Sequence, residues 1–118
     1  MSAVERWGGT TVQLAEADGA PVGGREARDL VAGALGAGAS LLVIPAQRLE
    51  PAFFDLRSGV AGDVLQVFAT YHVRLAVVGA VPEPAASSRA FAALVGESNV
   101  GTQHWFLSSM EALRARLG

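Results

Sequence analysis

The amino-acid sequence predicts one α/β domain: a four- to five-stranded, mostly parallel sheet with a hairpin at its N-terminal edge and four helices against it. Three observations carry that expectation. Stretches with helical periodicity alternate with short runs of branched apolar residues, the order that builds a parallel sheet through right-handed crossovers. The 118 residues fit one domain and leave no room for two. Apolar residues make up 51% of the chain, enough for a real core.

Residues 1–9, with Gly8-Gly9, are expected to be a flexible N-terminal arm, and residues 10–118 the domain. Thr10 to Ala15 alternates polar and apolar residues and reads as a strand. Ala17-Asp18-Gly19-Ala20 is a turn signal, and a short returning strand at Pro21-Val22 would complete the hairpin. From Arg25 to about Ala37, Ala27, Leu30, Val31, Ala34 and Leu35 fall on one helical face, and Gly36 and Gly38 stop the helix. Leu41-Leu42-Val43-Ile44 is continuously apolar, which suits a strand buried on both faces.

Gln47 to Gly59 is the longest irregular stretch, with a short helical turn expected at Pro51 to Phe54. A second helix carries Val60, Ala61, Val64, Leu65, Phe68 and Tyr71 on one side. Arg74 to Val78 is the next strand, ended by Gly79, and Pro82 and Pro84 mark a loop. The third helix starts near Ser87, buries Phe91, Leu94 and Val95, and ends at Asn99 to Gly101. His104 to Leu107 is the last strand. Ser108 and Glu111 have the spacing of a capping box that would open a terminal helix with Leu113 and Leu117 inward.

Composition excludes several function classes. The net charge is −2, and the nine basic residues, all Arg, are scattered, so neither nucleic acid nor an anionic membrane surface is an expected partner. A charged fraction of 17% is low for a solvated surface and allows a homodimer. The absence of cysteine excludes disulfides and thiolate sites. No signal peptide or apolar run near membrane-spanning length is present, so a cytoplasmic location is expected. His72 and His104 stand far apart without carboxylates at metal spacing, and no metal or other cofactor is expected. No phosphate-cradling glycine motif and no nucleophile elbow occurs. No catalytic residue is assigned.

The order of elements resembles the STAS domain of bacterial anti-sigma-factor antagonists. In that family a strand leads to an Asp-Ser-Ser/Thr-Gly loop that opens a helix; here strand 41–44 leads to Asp55-Leu56-Arg57-Ser58-Gly59-Val60. Leu56 and Arg57 separate the acid from the serine, which departs from the pattern. Phe106 to Leu113 is also similar to the last strand and helix of such domains. A closer likeness is to the bacterial domain-of-unknown-function family 4180. It rests on Glu50 to Gly62, Arg74 to Gly79 and Glu97-Ser98-Asn99, and spans nearly the whole chain. That family more often has Thr where this chain has Ser58. The resemblance to STAS domains implies the fold and a regulatory, protein-binding role; the likeness to family 4180 brings no activity with it.

Ser58 is the candidate phosphoacceptor. A phosphate at a helix N-terminus would meet free N–H groups and Arg57, while an unmodified serine there would be a plain N-cap. Asp55, Arg57 and Asp63 could form a polar contact surface or anion pocket; equally, Asp55 could bond local amides and Arg57 pair with Asp63. Phe53 and Phe54 are adjacent, so one should plug the core and the other could anchor a partner. Asn99 could bind a ligand or cap a helix. The expected function is a non-enzymatic interaction module with a protein partner, possible phosphoswitching resting on Ser58. The alternative is a small-molecule binder or simple acid/base enzyme working from the loops at the strand carboxyl ends.

Overall fold

A computed structural model describes residues 3–117. Its five strands are β1 (Ala3–Trp7), β2 (Thr10–Leu14), β3 (Leu41–Pro45), β4 (Arg74–Val78) and β5 (His104–Leu107). They lie side by side in chain order. β1 pairs antiparallel with β2, and every later pairing is parallel. The helices are α1 (Gly24–Gly36), α2 (Val60–Tyr71), α3 (Arg89–Val100) and α4 (Met110–Leu117).

The mostly parallel α/β sheet with four helices is as the sequence predicts, but the hairpin is not where expected. Residues 3–7 are a strand rather than an arm. Trp7 faces Thr10 across the two-residue loop Gly8-Gly9. Gly8 takes a φ of 60°, the positive value that a tight hairpin turn needs at its first position. The Asp18-Gly19 segment instead leads into α1. Val22 forms an isolated parallel bridge with Leu49. Arg48 fastens this connection, its Nε donating to Ala20 O at 2.7 Å and Nη1 to Glu16 O at 2.9 Å.

A chain that crosses the sheet always in one direction, through right-handed connections, must put all its crossover helices on one face. That is the arrangement here. Leu42, Ile44, Leu75, Val77 and Phe106 face Val31 and Ala34 of α1, Val64 and Phe68 of α2, and Phe91 of α3. The alternate residues Leu41, Val43, Ala76 and Trp105 turn to the other face, where Trp7 and Leu113 of α4 cover them. The unbroken apolar run of β3 is thereby explained, since both faces are buried. Each such Leu or Ile withdrawn from water stabilises the fold by about 1.5–3 kcal/mol.

The helix ends follow local chemistry. Gly23 N–H donates to Glu26 Oε1 at 3.0 Å, half of a capping box for α1. That bond holds the Glu26 carboxyl below the usual carboxylate range. Ser88 Oγ accepts from Phe91 N–H and starts α3. For α4 the cap is Ser109, whose oxygen accepts from Ala112 N–H at 3.1 Å, rather than Ser108. Leu113 lies on the buried side of α4, as expected.

Candidate functional site

Two loops leave the carboxyl ends of neighbouring parallel strands: residues 46–59 after β3 and 79–88 after β4. They approach closely because Gly79 lies against Ala46. A side-chain carbon at Gly79 would come within 3.2 Å of Ala46 Cβ, and its φ of 131° admits only glycine comfortably. Beyond that contact the loops part and enclose an open groove of about 670 Å³. Pro51, Phe54 and Leu56 line one side, and Pro82, Pro84 and Ala85 the other. A second hollow of about 440 Å³, bounded by Gln47, Leu49 and Ala80, shares Pro51, Phe54 and Pro82 with it. Together they form one trough.

Phe53 and Phe54 divide as the sequence suggests. Phe53 is fully buried, whereas Phe54 is half-buried and lines the trough. Four rings close a cycle: Phe53 on Phe54 at 5.3 Å between centroids, Phe54 on Phe91 at 5.7 Å, Phe91 on Phe106 at 6.0 Å, and Phe106 on Phe53 at 6.2 Å. Offset and edge-on contacts of this kind add about 0.5–1.5 kcal/mol per pair beyond burial. Phe54 is therefore held rigidly while one side stays accessible.

The polar residues of the trough are already engaged with the protein. Asp55 Oδ1 accepts from Arg57 N–H at 3.2 Å and lies 3.7 Å from its guanidinium. Both side chains are well exposed, so this ion pair adds little to stability. Glu83 accepts from Ser87 Oγ at 2.9 Å. Asp63 is not part of this rim. It borders a separate cleft of about 430 Å³ between α1 and α2, with Arg25, Arg28 and Tyr71, and the expected Arg57–Asp63 pair is replaced by Arg57–Asp55.

Ser58 stands beside the groove and is exposed, but it does not cap α2 directly. Gly59, with a φ of 83°, is the N-cap. Ser58 precedes it, its hydroxyl donating to Ala52 O at 2.6 Å and accepting from Val60 N–H at 3.1 Å. One side chain thus ties the 51–54 turn to the first turn of α2. Asn99 lies elsewhere, in the last turn of α3. Its Oδ1 accepts from Phe106 N–H at 2.8 Å and its Nδ2 donates to Phe106 O at 3.0 Å. The amide thus imitates a neighbouring strand on the outer edge of β5, and is committed to structure.

The second wall of the groove, from Pro82 to Ser88, carries no residue motif beyond the loop signal of Pro82 and Pro84. Its signal was topological: loops following adjacent parallel strands meet at the same end of the sheet. No group of three metal-ligating side chains occurs among the described residues. No helix among them is long and apolar enough to cross a membrane.

The fold and groove define a singly wound parallel α/β domain with a trough at the carboxyl ends of its central strands. The chain belongs to the family described as a domain of unknown function (DUF4180), whose model matches residues 8–117. No curated protein and no solved structure matches it.

Proposed function

We propose that this domain is a non-enzymatic, STAS-like interaction module that receives a segment of a partner protein in the trough between residues 51–57 and 82–90. The observation that carries the reading is the rigid, half-exposed Phe54 in an apolar trough open along its length. An aromatic already fixed by its neighbours loses little freedom on binding, which is what an interface anchor needs. The surrounding acids, serines and arginine serve local backbone and ion-pair contacts, an arrangement suited to a rim rather than to proton transfer. Ser58 supports a switch in the same place. Phosphorylation would replace the hydroxyl that donates to Ala52 O with an acceptor group, loosening the 51–54 turn from α2 while offering Val60 N–H and Arg57 a strong anion.

A second reading is favoured by size alone: about 670 Å³ is within the range that small ligands occupy. One experiment separates the two. Phe54→Asp, Ala90→Arg at the exposed edge of the groove and, as a control on the outer face of α3, Ala92→Arg are compared with the native chain in affinity capture from the host. Loss of the same partner in the first two, with retention in the third, supports the interaction reading. Ser58→Asp and Ser58→Ala should then differ in their affinity for that partner. If none of the groove variants changes what is captured, and a metabolite mixture instead shifts the Phe54 and Ala85 resonances, the small-molecule reading replaces it.

A further inference from the structure

A second surface lies at the opposite end of the sheet, where α3 ends and β5 begins. Residues 99–102 present three carbonyls to side-chain donors. Asn99 O accepts from Arg116 Nη2, Gly101 O accepts from the Trp105 indole N–H at 2.8 Å, and Thr102 O accepts from Arg74 Nε at 2.8 Å. Both guanidiniums stack on the same indole, Arg74 at 4.7 Å and Arg116 at 4.5 Å from the ring centroid of Trp105. The same stretch throws the side chain of Val100 outward, 88% exposed, the most exposed large apolar residue among those described.

The local chemistry is unbalanced. A helix C-terminus offers about half a negative charge, against two full positive charges here. No carboxylate lies within ion-pair distance of Arg74 or Arg116 among the described residues. Each guanidinium has five N–H donors, and these bonds employ one apiece. Stacking and carbonyl anchoring fix both groups in place, so little freedom remains to be lost when a carboxylate arrives.

We infer that Val100, Arg74 and Arg116 form a docking surface for an acidic segment of a protein, in which a carboxylate side chain neighbours an apolar one. Charge complementarity selects the acid, and Val100 selects the apolar neighbour. This surface is separate from the Phe54 trough, so the two proposals stand or fall independently.

The test titrates the native protein with the peptide Ac-Gly-Glu-Leu-Glu-Gly-amide and follows its amide and indole NMR signals. Saturable shifts are expected in the Trp105 indole N–H and the Val100 to Thr102 amides, and not in Phe54. Affinity should fall about tenfold or more with the Gln-for-Glu peptide, in Arg116→Gln, and in Val100→Ser. Arg116 and Val100 are exposed, so these variants should keep the native spectrum; Arg74→Gln is an added arm where it folds. The proposal is overturned by absence of saturable shifts into the millimolar range, by unchanged binding in Arg116→Gln, or by equal shifts with inorganic phosphate or the uncharged peptide.

Discussion

Asn99 shows how one side chain can close a sheet. β5 is an edge strand, and the outward N–H and C=O of Phe106 are both taken by the Asn99 amide. Asn99→Ala should therefore cost about 1–3 kcal/mol, because it strips partners from a partly buried backbone pair; urea unfolding measures this directly. His104, on the same strand, titrates in the other direction from a paired histidine. Burial pushes its pKa below the ordinary 6.5, with a backbone hydrogen bond at Leu65 pulling partly back, and its Nε2 has no partner. The unfolded chain then binds a proton that the folded one resists. Stability should rise with pH between the folded value and 6.5, and the loss is complete below the folded value. His104→Gln should flatten that acid-side decline, read from urea midpoints at pH about 5 and about 8. A native midpoint unaffected by acid would contradict the assignment.

Among the elements, the 51–54 turn matters most, since it joins core to groove. Phe53 is fully buried and Phe54 only half. Phe53→Ala should cost about 3–5 kcal/mol, as expected for emptying a core aromatic site. Phe54→Ala should cost clearly less and act on binding instead; equal losses in thermal unfolding would show that Phe54 is merely core. The split was legible in the sequence as a principle, because neighbouring residues cannot both point inward, but not as an assignment. Which ring turned in depended on Phe91 and Phe106, residues far along the chain. The hairpin failed for a similar reason. Asp18-Gly19 and Gly8-Gly9 are both turn signals, and only pairing of β1 along β2 decided between them.

The whole molecule has two unequal faces. Three helices cover one, while the other relies on the eight residues of α4 and on Trp7 and Trp105. Arg114 stacks on Trp7 at 4.3 Å and shields it as Arg74 and Arg116 shield Trp105. Removing residues 110–118 should leave the sheet assembled but expose Leu41, Val43 and Trp105, so that the shortened chain binds a hydrophobic dye and self-associates in sedimentation. If it remains monomeric and dye-free, α4 is not the cover.

By itself the sequence determined the alternation of strands and helices, the buried β3 and most of the apolar helix faces, because these depend on neighbours within a few positions; Leu35 and Tyr71, expected on those faces, are exposed instead. It also placed Ser58 and Phe54 in one irregular loop. Only the tertiary structure decided the strand order, the gathering of three helices on one face, and the second wall of the groove from Pro82 to Ser88. It alone brought Arg74 and Arg116 onto one indole. Those features join residues distant along the chain, and nothing local in either partner specifies where the other will arrive.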